Sequence, residues 1–292
     1  MTNLASIERL VLGTAQFGLP YGITNNLGQI SLQEASGILC YSKGIGIKNI
    51  DTAISYGNSE QILGSIGVSD WNITTKLPRI PKNCVDIIDW INSSINDALK
   101  RLGIDQFDSI LLHRPNDLLE NNGENIYRQL QEAKRLKLVR KIGISVYDLS
   151  ELNIFKKGFI FDSVQLPLNI FDRRLLSSNV VTQLKNTGVE VQARSIFLQG
   201  LLLLKPEEIP IQFKKWNSLW KEWHQWLNDN SLSALRACLG FVFSQPVVDK
   251  VIIGVSSIRE LKEIVPLIDA SIPDIPLSIQ STDINLIDPR SW

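Results

Sequence analysis

The sequence contains few cysteines and no excess of charge of either sign. Its three cysteines, Cys40, Cys84 and Cys238, lie far apart and form no CxxC pair. This spacing argues against a disulfide scaffold and a zinc site, and it suits a reducing compartment. Lysine plus arginine and aspartate plus glutamate both number 30, so no net charge attracts nucleic acid or an anionic membrane.

Long apolar runs are also missing. The N-terminal region has no basic segment followed by an apolar run, and the most apolar stretch, residues 200–204, is far shorter than the roughly 20 residues of a membrane helix. The hydrophobic content of 44% is still enough for a large core in a chain of 292 residues. We therefore expect a soluble, cytoplasmic protein with no membrane or nucleic-acid partner and no bound metal.

Short β-branched and apolar runs alternate along the chain with amphipathic stretches of helical length. The strand candidates are RLVLGT, KNIDTA, NITTKL, DSILLH, RKIGIS, DSVQLP, VEVQAR and KVIIGV. Helical patterns lie between them at residues 32–43, 59–66, 85–102, 124–138, 149–156, 175–186 and 258–268. A β-α unit repeated eight times predicts an α/β fold of the (β/α)8 TIM-barrel class.

The main alternative is a doubly wound open sheet, which usually carries a GxGxxG turn after its first strand. Here that turn reads GTAQFG and does not match. A length of about 150 residues per domain would suggest two domains, but barrels form single domains of this size, and no change of composition marks a boundary. We expect one domain over residues 1–292 with a C-terminal tail over 271–292. Helical patterns at about 211–228 and 231–243 predict an insertion or extra helix around 205–230, followed by the seventh helix.

Polar side chains stand at the ends of most of the predicted strands. The loops after the strand carboxyl ends of a parallel barrel build its active site, so these side chains would face one rim. They are Asp51 with Tyr56 in the following loop, Lys76, His113, Ser145, Gln165, and Arg194 with Ser195. This convergence requires the closed sheet, because the second and fourth strands of an open sheet need not face a common cavity.

Four of these side chains indicate proton transfer to a carbonyl group. Lys76 ends a hydrophobic strand and needs a partner, and Asp51 on the neighbouring strand is the obvious counter-ion. A cationic Lys76 near Tyr56 would lower a phenol pKa that starts near about 10, which makes Tyr56 a proton donor. His113 can hydrogen-bond the same substrate oxygen. Side chains supply no hydride, so a nicotinamide cofactor is implied.

Several motifs resemble those of the aldo-keto reductases, and the resemblance covers nearly the whole chain. They are LGTAQFG, IDTAISYGNSEQILG, TTKLPR, LLHRP, GISVY, VQLPLNIFDRR and IIGVSSIRELKEI. The resemblance implies that Asp51, Tyr56, Lys76 and His113 form the catalytic tetrad of that family. In such a tetrad the tyrosine is the acid, the lysine tunes it, the aspartate pairs with the lysine, and the histidine orients the carbonyl. The hydride would come from C4 of NADPH.

The resemblance also implies positions for the cofactor. Ser145 and Gln165 match residues that bond the nicotinamide carboxamide, and residues Ser195 to Leu201, including Gln199 and Gly200, match a loop beside the pyrophosphate. The segment Gly254 to Glu263, including Ser256, Ser257 and Arg259, matches the stretch that holds the adenosine end.

Three positions depart from the family pattern. Val146 stands where Asn is usual and removes one polar contact to the carboxamide. Arg194 stands where most members stack an aromatic ring under the nicotinamide, and its charge would favour the reduced cofactor, since the oxidised ring is cationic. Glu260 stands where a basic residue often binds the 2′-phosphate. Ser256, Ser257 and Arg259 could instead hold that phosphate at the start of the last helix, so the balance favours NADP(H) over NAD(H).

Other interpretations of these residues remain open. Asp51 and Lys76 could be a structural ion pair, Tyr56 a packing residue and His113 a satisfied polar group, although their convergence at one rim favours catalysis. His224 lies beside a helical stripe of Trp216, Trp220 and Trp223, which predicts core packing with the histidine at the surface.

The substrate side is less defined. Arg79, Arg114 and Arg194 follow strand ends, and they would either bind an anionic substrate or pair with acids such as Asp117 and Asp172. In the tail, Ile287 or Trp292 would either close over the site or pack outside the barrel.

These observations predict NAD(P)H-dependent reduction of a small aldehyde or ketone, such as a sugar or an anionic carbonyl compound. The alternative is a non-enzymatic barrel that binds nicotinamide nucleotide as a sensor or regulatory subunit. The oligomeric state is left open.

Overall fold

Eight parallel strands alternate with helices and close into a barrel in the computed structural model, which describes residues 3–25, 28–120, 122–174, 176 and 178–292. The strands pair in chain order, and the first also pairs in parallel with the last, which closes the sheet. They are β1 (Leu10–Gly13), β2 (Asn49–Asp51), β3 (Asn72–Leu77), β4 (Phe107–Leu112), β5 (Val139–Ser145), β6 (Ser163–Pro167), β7 (Glu190–Arg194) and β8 (Lys250–Gly254). The predicted (β/α)8 class is confirmed.

Helices surround the barrel and also precede and follow it. The α-helices are α1 (Leu4–Arg9), α2 (Ala15–Gly18), α3 (Leu32–Gly44), α4 (Ser59–Ile66), α5 (Ile87–Leu102), α6 (Gly123–Arg135), α7 (Asn179–Asn186), α8 (Asn217–Asp229), α9 (Ala234–Phe243), α10 (Ile258–Ile264) and α11 (Ile284–Ile287). Short 3₁₀ helices lie at Pro115–Leu119, Leu149–Lys157, Leu198–Leu203, Pro206–Glu208, Ile211–Trp216, Val265–Leu267 and Pro289–Ser291. None of the helices in the described part of the chain combines the length and apolar character that a membrane crossing requires.

Local side chains set many helix ends. The Asp86 carboxylate accepts a hydrogen bond from the Asp89 N–H at the start of α5, and Gly103 ends that helix in the left-handed region at φ 66°. Ser31 caps α3 through the Glu34 N–H in the same way. These signals are local, which is why the predicted ends of α3 and α5 lie within two residues of the observed ones.

Two predicted helices differ from the structure. The stretch 149–156 forms a 3₁₀ helix, Leu149–Lys157, which Gly158 ends at φ 90°. The last predicted helix stops being α-helical after Ile264, because Pro266 lacks the N–H that would continue the α-helical pattern.

Helices between β6 and β8 begin later than predicted. The pattern at 175–186 is α-helical from Asn179, and its predicted first residue, Leu175, lies outside the described residues. The seventh barrel helix, α9, begins after Ser233, whose hydroxyl accepts a hydrogen bond from the Arg236 N–H.

Residues 205–230 hold two 3₁₀ helices and α8, packed through aromatic side chains. Trp220 and Trp223 are buried, the ring of Trp220 lies 4.8 Å from that of Phe171, and Trp223 stacks on Trp226 at 5.8 Å. The tryptophan stripe is therefore core packing, as expected. His224 is not at the surface: it is half-buried, and its Nε2 has no partner among the described residues. That this stretch is an insertion stays a prediction.

The inward-facing positions at mid-height of the barrel carry small residues. The hydroxyl oxygens of Ser109 on β4 and Ser163 on β6 lie 3.5 Å apart over the intervening strand β5. Gly143 on β5 lies between them, where an added Cβ would stand 2.6 Å from the Leu111 Cδ2 and overlap Ser163. The small residues leave room for the longer polar side chains at the carboxyl ends of the strands.

Candidate active site

A cavity of about 350 Å³ opens at the carboxyl ends of the strands. Asp51, Tyr56, His113, Gln165 and Arg194, which come from four different strands or the loops after them, all line it. Barrel closure therefore brings together the side chains that the sequence places at separate strand ends.

The cavity floor contains a buried ion pair. Lys76 Nζ contacts both carboxylate oxygens of Asp51 and donates a hydrogen bond to the Thr52 carbonyl oxygen at 2.9 Å. The exposed fractions of Lys76 and Asp51 are only 1% and 3%. Burial lowers the pKa of Lys76, and the opposing charge of Asp51 acts against that shift. The predicted pairing is present.

Tyr56 lies directly beside this pair, with its ring centroid 5.1 Å from Lys76 Nζ. The expected lowering of its pKa is wrong for this arrangement. Desolvation by the surrounding protein, followed by the negative charge of Asp51, raises the pKa of Tyr56 above its usual value. The reason is that Asp51 neutralises Lys76, so the burial of the phenol outweighs the effect of the ammonium group. Tyr56 therefore keeps its proton throughout the neutral range.

His113 completes the cluster. Its ring packs edge-on against the Tyr56 ring with centroids 6.2 Å apart, and its Nδ1 lies 3.4 Å from the Ser55 hydroxyl oxygen. Burial, with the charges of Lys76 and Arg194, lowers the pKa of His113 to about 3. The imidazole is therefore neutral at pH 7 and can both donate and accept a hydrogen bond.

Gln165 joins the ion pair to neighbouring strands. Its amide nitrogen donates to Asp51 Oδ2 at 3.1 Å and to Gln192 Oε1 at 3.2 Å. Its amide oxygen accepts from the Ser145 hydroxyl at 3.4 Å. Ser145 and Gln165 are thus neighbours, although only Gln165 lines the cavity.

Arg194 reaches the cavity wall through three contacts. Its guanidinium donates to the Val146 carbonyl oxygen at 2.9 Å and to the Ser195 hydroxyl at 3.1 Å. It also lies over the ring of Tyr147, 4.0 Å from the centroid, and Arg290 of the tail lies 3.7 Å from the same centroid. Two guanidinium groups cannot share one ring face at these distances, so they take opposite faces of Tyr147.

The loop after β7 approaches the cavity with unusual backbone geometry. Ser195, Gln199 and Gly200 line the cavity, whereas Leu201 is fully buried and does not. Gly200 has φ 91°, and a Cβ there would overlap the Thr24 side chain. Only glycine meets both requirements without strain.

The far end of the cavity is formed by β8 and α10. Gly254, Ser256 and Glu263 line it, and Glu260 does so as well. Two predicted contact residues do not: the Ser257 hydroxyl caps α10, and Arg259 pairs with Glu263 at 3.0 Å with its side chain 88% exposed. Helix capping and the surface ion pair thus occupy two of the three side chains that the sequence assigned to a phosphate.

The cavity fits a nicotinamide nucleotide. Its lining includes Tyr56 and His113, Gly200 and Glu263, so one cavity joins the ends that the sequence predicted for the nicotinamide and the adenosine. Gln16 in its wall has a buried Oε1 atom without a partner among the described residues, a group that requires a donor. In the same part of the chain, no cluster of His, Cys, Asp or Glu has the arrangement of a metal site.

Sequence reasoning missed several residues around the cavity. Tyr147 and Gln192 left signals, since Tyr147 follows Val146 in GISVY and Gln192 shares a face of β7 with Arg194. Arg290 and Gln16 left no such signal in the sequence. Arg290 contacts Tyr147 and Gln16 lies beside Gly254, and both contacts join distant parts of the chain.

The fold and cavity place the protein among the barrel oxidoreductases. The chain belongs to the aldo-keto reductase family: the family model described as "Aldo/keto reductase family" matches residues 9–276. Members of this family are oxidoreductases that act on carbonyl compounds with nicotinamide cofactors.

Individual relatives are more distant. The chain is 26% identical over 261 residues to "Uncharacterized oxidoreductase YqkF" of Bacillus subtilis, covering 81% of this chain and 84% of that protein. It is 28% identical over 126 residues to "2,5-diketo-D-gluconic acid reductase B" of Corynebacterium, covering 41% of this chain and 44% of that protein. Among solved structures, "aldo-keto reductase AKR11C1 from Bacillus halodurans (holo form)" is similar with TM-score 0.71 and 22% identity over 91% of this chain and 88% of that one, which shows the shared fold.

Proposed function

We propose that the protein reduces an aldehyde or ketone to an alcohol, with the proton supplied by Tyr56. The observation that carries this proposal is the meeting of the Tyr56 phenol, the His113 imidazole and the buried Asp51–Lys76 pair at one end of the cavity. A bound nicotinamide nucleotide supplies the hydride from C4 of its ring.

Three members of the tetrad have roles that follow from their surroundings, and Asp51 pairs with one of them, Lys76. Tyr56 is protonated in the neutral range and can donate its proton to the carbonyl oxygen as charge develops there. Lys76 lies close enough to stabilise the phenolate that this transfer leaves. The neutral imidazole of His113 can donate a hydrogen bond to the same oxygen and hold it in place.

The residues beyond the tetrad would hold and orient the cofactor. Gln165, which lines the cavity, would bond the nicotinamide carboxamide, with Ser145 holding the Gln165 amide oxygen from behind. Ser195, Gln199 and Gly200 would contact the pyrophosphate. Arg194 would lie beside the nicotinamide and favour its reduced form, because a guanidinium disfavours a second positive charge nearby.

The substrate we propose is a small polar carbonyl compound, such as a keto sugar or its acid. Arg194 provides a cation in the cavity wall. Arg114 is less suited to this task, because it pairs with Asp117 at 3.1 Å and with Glu120 at 3.7 Å. A relative named for reducing 2,5-diketo-D-gluconic acid supports a substrate of this kind.

The test is turnover by the purified protein and its Tyr56→Phe variant. We expect oxidation of NADH or NADPH by at least one member of a panel of aldehydes, ketones and aldoses. The variant should lose activity by about 10²-fold or more, because Phe cannot donate a proton, while binding of the reduced nucleotide is retained. Binding by the parent protein without turnover across the panel would contradict the proposal and favour the sensor.

A further inference from the structure

The end of the cavity at β8 and α10 is acidic. Glu260 and Glu263 both line it, and neither carboxylate contacts a cation that also lines it. Arg259 and Lys262 are the cationic side chains of α10, and both are outside the lining. Arg259 is held by Glu263 at the surface, and Lys262 Nζ lies 5.4 Å from the ring centroid of Tyr41.

Three N–H groups at the start of α10 already have partners. The Ser256 N–H donates to Glu260 Oε2 at 2.7 Å, and the Glu260 N–H donates to the Ser257 hydroxyl at 3.2 Å. The Ile258 N–H donates to the Glu34 carboxylate of α3, also at 2.7 Å. Two carboxylates therefore occupy the donors that would otherwise attract an added phosphate.

These contacts bear on which nicotinamide dinucleotide, NAD(H) or NADP(H), binds more tightly. The two dinucleotides differ only at the 2′ position of the adenosine ribose, where NAD(H) has a hydroxyl and NADP(H) a phosphate with about two negative charges at neutral pH. A carboxylate accepts a hydrogen bond from a ribose hydroxyl but repels a phosphate, which is why an acidic residue at this position selects NAD and an arginine selects NADP in dinucleotide sites.

We propose that the protein uses NAD(H) in preference to NADP(H), and that Glu260 is the residue that sets this preference. This inference rests on the proposed function, because it assigns the cofactor of the same cavity. It reverses the expectation from the sequence, which relied on Ser256, Ser257 and Arg259 as phosphate ligands. The structure gives the Ser257 hydroxyl, the Arg259 guanidinium and the Ser256 N–H other partners.

The experiment measures equilibrium binding by the emission of the reduced nicotinamide. The purified protein is titrated with NADH and with NADPH at low ionic strength. We expect the dissociation constant for NADPH to exceed that for NADH by about tenfold or more, since like charges at close range are only partly screened. Equal affinities, or tighter binding of NADPH, would overturn the proposal.

Variants test whether Glu260 causes the difference in affinity between NADH and NADPH. Glu260→Gln should bring the ratio of the NADPH to the NADH dissociation constant closer to one. Glu260→Arg should bring this ratio below one, in favour of NADPH. Glu124→Gln makes the same side-chain change in the first turn of α6, away from the cavity, and should leave the ratio unchanged. Unchanged ratios in both Glu260 variants would refute the role of this residue. Circular dichroism verifies that the variants are folded.

A pair of adenosine fragments separates this inference from the proposed function. Adenosine 5′-monophosphate and adenosine 2′,5′-bisphosphate differ only in the 2′-phosphate and contain no nicotinamide. Both compounds are tested as competitors of NADH binding, and we expect the bisphosphate to compete more weakly than the monophosphate. If neither NADH nor NADPH binds at millimolar concentration, the proposed function fails as well. NADPH binding at least as tight as NADH binding, together with turnover, would refute the NAD(H) preference alone.

Discussion

Lys76 and Asp51 form a buried ion pair in which each side chain needs the charge of the other. Both are nearly inaccessible to solvent, and each provides the counter-charge that makes the burial of the other tolerable. Gln165 adds a third contact, through its bond to Asp51 Oδ2. The pair therefore contributes to folding as well as to the proposed chemistry.

Removing one partner should destabilise the protein. In Asp51→Asn the Lys76 ammonium is left buried without a counter-ion, and we expect the free energy of unfolding to fall by about 3–5 kcal/mol. The double variant Asp51→Asn with Lys76→Met should regain much of this loss, because no buried charge remains. Urea-induced unfolding followed by circular dichroism measures both. Equal stability of the single variant and the parent would contradict the importance of the pair.

At the scale of elements, the close packing of α4 on α5 depends on one small residue. A Cβ at Gly64 of α4 would overlap the carbonyl oxygen of Arg101 at the end of α5. Helix backbones can approach this closely only where no side chain intervenes. The two helices follow β2 and β3, so their spacing supports the strands that present Asp51 and Lys76.

Gly64→Ala should therefore destabilise the protein. We expect a loss of about 1–3 kcal/mol in the free energy of unfolding, as for other overpacked sites. Gly44→Ala provides a matched control at the last residue of α3, because no atom lies within 4 Å of an added Cβ there. That control should be neutral or slightly stabilising. Thermal unfolding of both variants checks the difference, and equal melting temperatures would contradict the expectation.

The helices and strands also show which features the sequence could predict. All eight strands were found, because each is a short apolar run bounded by turn residues, and α3, α4 and α5 were found because their apolar residues recur at helical spacing. The 3₁₀ form of Leu149–Lys157 could not be predicted, since its hydrophobic pattern also fits an α-helix. Length and periodicity alone do not separate these two helix types.

At the scale of the whole molecule, closure of the barrel creates the site. The tetrad residues lie at the ends of adjacent strands or in the loop between them, so their convergence could be predicted once a barrel was assumed. Contacts such as Glu34 with Ile258, or Arg290 with Tyr147, join residues more than 100 positions apart and left no pattern in the sequence. The pKa of Tyr56 was also mispredicted, because it depends on burial that only the folded molecule defines.

The pH dependence of unfolding is a property of the whole molecule that His113 should influence. Its pKa falls from 6.5 to about 3 on folding, so between these pH values the unfolded chain binds a proton that the folded protein does not. Stability should therefore decrease as the pH falls below about 6.5, with a contribution from this group of at most about 1.4 kcal/mol per pH unit. Urea unfolding at pH 7 and pH 5 measures the loss.

Comparison of variants isolates this contribution. His113→Asn should lose less stability than the parent between pH 7 and pH 5, because the titrating imidazole is gone. The pKa of His224, the other histidine, is also lowered by burial, so His224→Asn measures that effect separately. An identical pH dependence in His113→Asn and the parent would show that His113 is not desolvated in the folded protein.

The tryptophan stacking in α8 has an optical consequence. None of the seven tryptophans lies in the lining of the central cavity, and Trp223 and Trp226 stand nearly parallel at 15°. Their fixed, buried rings should give a near-ultraviolet dichroic band that reports on α8 and its surroundings. Denaturation can be followed both by this band and by the emission of bound reduced nucleotide. Earlier loss of the band would show that the packing around α8 unfolds before the cavity at the carboxyl ends of the strands.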